Sequence, residues 1–179
     1  MKIRVEETKK KRLTLEEDEP AEHYAPLAEV EKSGEARFTA PVHVEVSAFW
    51  EHDHVRVAGK VATAAALTCS RCLTEFETPL ESSFTIIYSQ ARDESPADEE
   101  VELSEEDLVA ATYQGDEIDL DFEIAEQVMM EVPYKPLCRE ACKGLCTECG
   151  QDLNVAECGC NRGGINLKMS ALQKIKIEK

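Results

Sequence analysis

The fold is decided by Pro41 to Tyr88, PVHVEVSAFW EHDH VRVAGKVATAAALT CSRC LTEFETPLESSFTIIY. Val42, Val44 and Val46 alternate with His43, Glu45 and Ser47. A period of two sends one set of side chains to a core and the other to water, so this is a half-buried strand. The polar tetrad Glu51-His52-Asp53-His54 interrupts it, and the alternation resumes from Val55 through Val57, Gly59, Val61, Thr63 and Ala65 to Leu67. Two alternating runs across a short polar break read as an antiparallel hairpin. Phe76, Thr78, Leu80, Ser82, Phe84, Ile86 and Tyr88 keep the period a third time. The prediction is an α+β protein built on an antiparallel β-meander, with Cys69-Ser-Arg-Cys72 at the turn between its second and third strands.

Outward from the meander the composition changes twice. Residues 91–107, ARDESPADEEVELSEED, hold nine acids and one base. So little apolar surface cannot offset the entropy of ordering, and an acidic linker is expected over 91–116. From Asp119 the period becomes helical, with Leu120, Ile124, Ala125, Val128, Met129 and Val132 on one face and Asp119, Asp121 and Glu123 in the first turn, where acids complement the helix dipole. Met129 and Met130 are expected in the core. Residues 138–179 contain no aromatic residue and five of the chain's eight glycines, so a core of their own is out of reach and a staple is needed. Ile165, Met169, Leu172 and Ile175 predict a short C-terminal helix. The expected division is a mainly β region (1–90), the linker (91–116), and a main helix with a cysteine-rich module (117–179).

The staple is legible in eight cysteines: Cys69, Cys72, Cys138, Cys142, Cys146, Cys149, Cys158 and Cys160. Neighbours as close as Cys158 and Cys160 make poor disulfides. MKIRVEETKKKR has no apolar run behind it and is not expected to be an export signal, so a reducing cytoplasm is the expected setting. Turn-linked pairs suit tetrahedral Zn²⁺, and four pairs make two sites closed by protein sulfur, the mark of structural zinc. Cys146-Thr-Glu-Cys149-Gly150 pairs most simply with Cys158 and Cys160, leaving Cys69, Cys72, Cys138 and Cys142 for the other site. Joining Cys138 and Cys142 to Cys146 and Cys149 is the alternative division. Iron in a rubredoxin-like centre is the alternative metal. A redox pair lacks its usual place at a helix N-terminus. No nucleophile–base arrangement or phosphate loop stands out, and His52 and His54 read as loop residues, so neither an enzyme nor a small-molecule substrate is expected.

Charge narrows the partners. Twenty Lys and Arg stand against 37 Asp and Glu, a formal net charge of −17. Residues 2–12 and 162–179 each carry +4, which leaves −25 for the body between them. Phosphate contacts come from Lys and Arg, so direct RNA binding is restricted to the ends, with Arg71 a further candidate. The acidic body suits a basic protein. No run is long and apolar enough for a membrane span.

Cys69-Ser-Arg-Cys72-Leu73 after a strand, Ile118-Asp119-Leu120 before a helix, and Val132-Pro133 ahead of Pro136-Leu137-Cys138 occur in this order. Cys142-Lys-Gly-Leu-Cys146, Cys149-Gly150, Asp152-Leu153-Asn154 and Cys158-x-Cys160 follow. From about residue 40 to 172 the chain resembles the YceD-like family of bacterial proteins. The resemblance implies a role in accumulation of large-subunit (23S) ribosomal RNA, with bacterial and plastid members linked to its processing or stability. It also implies contact with that RNA or with a ribosomal protein, since members are often encoded beside a zinc-ribbon protein of the large subunit. The family has no established catalytic residue. Where it usually has Asp-Pro-Arg near the C-terminal helix, this chain has Asn166-Leu167-Lys168. A structural interaction module unconnected with ribosomes is the plainer alternative.

Overall fold

A computed structural model describes residues 1–91 and 110–160. Its centre is the meander: β4 (Val42–Glu51), β5 (His54–Thr68) and β6 (Glu75–Gln90), each antiparallel to the next. β4 and β5 meet at a two-residue turn in which His52 takes a positive φ of 53°. β2 (Leu13–Glu19) pairs antiparallel with β4, and the two-residue β3 (Arg37–Phe38) with β5. β7 (Ala110–Tyr113) adds to β6 in parallel, closing the sheet order β2-β4-β5-β6-β7. A separate pair joins β1 (Lys2–Arg4) to β8 (Glu117–Asp119). The three helices are α1 (Val5–Lys10), α2 (Ala25–Ser33) and α3 (Asp121–Glu131), with a 3-10 turn at Ala21–His23. Among the described residues the protein is α+β with a mostly antiparallel sheet.

The alternation in sequence becomes one covered sheet face. Val42, Val44, Val46 and Ala48 of β4 are buried with Val55, Val57, Val61 and Ala65 of β5 and Leu80, Phe84 and Tyr88 of β6. α3 packs Ile124, Ala125 and Val128 onto them, and Leu27 of α2 joins the same cluster. Each large aliphatic side chain fully buried here stabilises the fold by about 1.5–3 kcal/mol. Gly59 sits between Val46 and Phe84, and a Cβ there would lie 2.5 Å from the Phe84 ring, so the ring takes the place of the missing side chain.

Several expectations need correcting. Ala110–Tyr113, expected inside the linker, forms β7, because Tyr113 is buried while its neighbours stay accessible. Met129 and Met130, expected in the core, are 40 and 76% exposed. The buried face of α3 centres on Ile124, Ala125 and Val128, and positions 129 and 130 turn away from it. Asp119 belongs to β8 rather than to the helix, and its carboxylate accepts from the Asp121 N–H at 3.1 Å. Most of the expected linker and the expected C-terminal helix lie outside the described residues. No described helix is long and apolar enough to cross a membrane.

Candidate metal centres

The turn between β5 and β6 is a tight knuckle. Leu73 N–H donates to the Cys69 carbonyl at 2.9 Å and Cys69 N–H to the Thr74 carbonyl at 3.0 Å. The loop after α3 meets it where Ser70 N–H donates to Pro136 O at 2.8 Å. Arg71, a candidate for phosphate, is used inside the protein: its guanidinium donates to the Cys142 carbonyl at 2.8 Å, and its own carbonyl accepts from Leu145 N–H at 2.9 Å. These contacts bring Cys138 and Cys142 under Cys69 and Cys72. Cys69, Cys72 and Cys142 are buried and Cys138 half-buried, with Phe76, Leu137 and Leu145 packed around them.

A second knuckle repeats the first. Gly150 N–H donates to the Cys146 carbonyl at 2.8 Å, as Leu73 does to Cys69. Gly150 has φ +74° and Leu73 φ +60°, so the residue after each Cys-x-x-Cys is left-handed. The Leu145–Asp152 bridge and the Cys146 N–H to Gln151 O bond return the chain toward Cys158 and Cys160. Cys146 is buried, Cys158 and Cys160 are half-buried, and Cys149 is exposed.

All eight cysteines therefore fall into two tetrads, Cys69, Cys72, Cys138 and Cys142, and Cys146, Cys149, Cys158 and Cys160. Within each, all four sulfurs lie within 4.8 Å of one another. Cys69 and Cys142 are 3.8 Å apart and Cys72 and Cys138 3.7 Å, and all eight are free thiols. A Zn–S bond of about 2.3 Å gives a tetrahedron with sulfurs about 3.8 Å apart, whereas a disulfide needs about 2.05 Å. The spacing therefore fits a metal and does not fit a bridge.

The electrostatics agree. The backbone N–H of Cys138, then those of Cys72 and Arg71, hold the Cys69 thiol down at about 6 against the opposing effect of burial. The N–H groups of Cys149 and Glu148 hold Cys146 at about 6. The Thr74 hydroxyl and N–H lower Cys72. Burial, then the neighbouring Cys72 and Cys142, push Cys138 up to about 12, and Cys149 and Cys158 push Cys160 up to about 12. Crowded thiolates repel, so full ionisation of a tetrad requires a cation shared by all four sulfurs.

One residue of the centres was not singled out as a contact: Asn154. It lies in the loop between the two pairs of the second tetrad, and its amide donates to the Cys142 sulfur of the first at 3.4 Å. The only signal for it is its place in Asp152-Leu153-Asn154. A third grouping, Glu16, His43 and Glu45, is an accessible ion-paired histidine on the open sheet face, its Nδ1 2.9 Å from Asp18. The N-terminal cations are largely engaged within the protein. Lys2 lies 3.4 Å from Asp119 and Arg4 3.5 Å from Glu117, while Lys9 covers the Trp50 ring and Arg12 the Phe49 ring.

Fold and site together define a class: an α+β protein whose meander meets the cysteine-rich segment after α3 at one four-cysteine cluster, with a second such cluster inside that segment. Residues 57–176 match the family model described as large ribosomal RNA subunit accumulation protein YceD, and the chain belongs to that family. It is 33% identical over 120 residues to an uncharacterized protein of Mycobacterium leprae, covering 65% of this chain and 51% of that one. It is 28% identical over 142 residues to the chloroplastic large ribosomal RNA subunit accumulation protein YCED homolog 1 of Arabidopsis thaliana, covering 68% and 44%. The Zea mays homolog 1 is 27% identical over 146 residues, covering 67% and 48%. The chain spans about half the length of these curated relatives. No solved structure matches it.

Proposed function

We propose that this protein is a non-enzymatic, zinc-stapled factor that supports the accumulation of large-subunit ribosomal RNA, working in the cytoplasm through a basic ribosomal protein or the RNA itself. The observation that carries the reading is the family match over residues 57–176, which spans both cysteine tetrads. Cys69, Cys72, Cys138 and Cys142 would hold one Zn²⁺, and Cys146, Cys149, Cys158 and Cys160 a second. Bound there, zinc supplies cross-linking; a site filled by four protein sulfurs leaves no position for a reactive water.

Charge favours a protein as the immediate contact. Of the six N-terminal cations, Lys2, Arg4, Lys9 and Arg12 already face an acid or an aromatic ring of the protein itself. The acidic body would repel phosphate and attract a basic ribosomal protein, speeding encounter and selecting the partner.

The test is a crosslinking pull-down that records protein and RNA together, paired with depletion in the native host. A basic large-subunit protein in the crosslinked fraction, with mature large-subunit rRNA falling on depletion, is the expected result. Unchanged rRNA on depletion, with no ribosomal component crosslinked, contradicts the reading and leaves a general interaction module. Elemental analysis of protein made without added zinc separates this reading from a rubredoxin-like iron centre, whose tetrahedral sulfur geometry is the same.

A further inference from the structure

α3 buries one face and leaves three large apolar side chains exposed on its outward side. Phe122 is 61% exposed and Met130 76%; at 3.6 residues per turn Met129 falls nearly in line with Phe122, and Met130 stands about 80° round the helix from it. Just past the helix Tyr134 is 94% exposed. Four of the six exposed large hydrophobic side chains among the described residues thus belong to α3 and the turn that follows it. A groove of about 420 Å³ continues the strip toward the first tetrad, lined by Val30, Leu67, Met129, Val132, Tyr134 and Pro136. Large apolar side chains clustered and exposed in this way mark an interaction site, and methionine adapts to varied partners.

The surroundings say what kind of partner fits. Glu126 lies between Phe122 and Met130 at helical spacing, Glu131 ends the helix, and Glu35 lines the groove. No described cation lies within 4.0 Å of Glu126 or Glu131, whereas on the sheet Arg56 pairs with Glu51 and Arg37 with Glu75. From Glu117 to Lys135 there are six acids and a single base. A strip in which exposed apolar side chains flank Glu126, with Glu131 and Glu35 nearby, is complementary to an amphipathic helix that carries Lys and Arg beside its apolar anchors.

We propose that the outward face of α3, with the groove beside Tyr134, is the docking surface for a basic amphipathic helix of the protein partner. This rests on the reading that the partner is a basic protein, and assigns the surface that receives it. Apolar anchors of the helix lie along Phe122, Met129 and Met130, and Tyr134 closes the end of the strip. Glu126 and Glu131 face its cations.

The test uses the full zinc-loaded chain and two fluorescein-labelled Leu–Lys peptides of one composition, one with leucines at helical period and one scrambled. Anisotropy is read at about 0.15 M salt, where exposed charges are screened beyond about 8 Å. The periodic peptide is expected to bind at least about tenfold tighter than the scrambled one, a difference of that size being an ordinary loss for one or two anchors. Met130→Ser with Tyr134→Ser removes that preference; Glu126→Gln weakens binding and Glu16→Gln, on the sheet face, leaves it unchanged. Both side chains of the double variant are largely in solvent, so the fold is retained. Equal binding of the two peptides, or no effect of the double variant, overturns the proposal. A benzophenone side chain at Met130 identifies the occupant. Crosslinks to the periodic peptide support the proposal; crosslinks to residues 161–179, to a second copy or to an added RNA oligonucleotide in its place overturn it. If the peptide fails while the pull-down recovers a basic ribosomal protein, this surface is wrong and the function stands.

Discussion

The Asn154 side-chain amide donates to the sulfur of Cys142 at 3.4 Å, so a loop of the second cysteine cluster supports a cysteine of the first. The same side chain accepts from Lys143 N–H at 2.8 Å and donates to Asp152 at 2.8 Å. Two cysteine clusters that are separate as tetrads are therefore joined through this side chain.

Asn154→Ala is expected to destabilise the metal-loaded protein by about 1.5–3 kcal/mol, the worth of a hydrogen bond to a charged acceptor. Asn154→Asp is expected to be worse, because it sets a carboxylate against a thiolate. Urea denaturation measures both, and chelator competition should show faster metal loss from the first tetrad. A neutral Asn154→Ala would mean that the two clusters are independent.

The two left-handed positions beside the first tetrad should respond with opposite signs. Gly144 has φ +75° and a Cβ there would lie 2.9 Å from the Arg71 carbonyl, so Gly144→Ala combines strain with a backbone clash. A loss of about 1–3 kcal/mol is expected. Leu73 pays the left-handed cost with a side chain 65% exposed. Leu73→Gly is expected to be neutral or stabilising by up to about 1 kcal/mol, the relief of roughly 1–2 kcal/mol being partly offset by glycine's entropy. A clear loss in Leu73→Gly would assign its side chain a contact that exposure does not suggest.

His43 gives the sheet edge a pH dependence. The Asp18 carboxylate raises it above its ordinary 6.5 against the opposing effect of burial, with Glu45 and Glu16 adding smaller upward pulls. A raised folded value means that the stabilisation is fully present below about 6.5 and is lost as pH rises through the folded value. Wild type should therefore lose a little stability between pH 6 and pH 8, within a window of about two units around the histidine range, and His43→Gln should not. Matched thermal melts across that range check the difference; parallel curves contradict it.

Chelation should release the cysteine segment before the meander. Residues 138–160 contribute only Leu153 and cysteines to the buried apolar set, so under the proposed zinc binding the metal would supply most of their folding energy. Amide exchange after chelation is expected to accelerate there first while β4, β5 and β6 stay protected. Unchanged exchange over 138–160 would show that the segment folds without metal.

How much of this was legible depends on whether a residue's role is local. The valines of β4 and β5 announced their strands because alternation and burial coincide residue by residue. The thiol pairs announced themselves because each knuckle is built within five residues. β7 was hidden because a four-residue strand with one buried tyrosine follows an acidic run. α2 was missed although Pro26 at its start and Gly34, left-handed at its end, are both readable stops. Met129 and Met130 misled because apolar periodicity shows that a helix has an apolar face, not that a neighbour covers it. Leu73 carried no signal of its own; only its equivalence to Gly150 reveals the left-handed turn. Asn154 depends on a partner twelve residues away, and its bond to Cys142 becomes visible only in three dimensions.

The proposed function requires a zinc ion at each of the two four-sulfur centres. Native mass spectrometry of protein purified without added metal, with thiol alkylation before and after denaturation in chelator, tests it most directly. Two zinc ions per chain, all eight cysteines alkylated only after denaturation, and one zinc in Cys146→Ser with Cys158→Ser are expected. Iron in place of zinc, fewer than two metals in the wild-type chain, or thiols alkylated in the native state would contradict it.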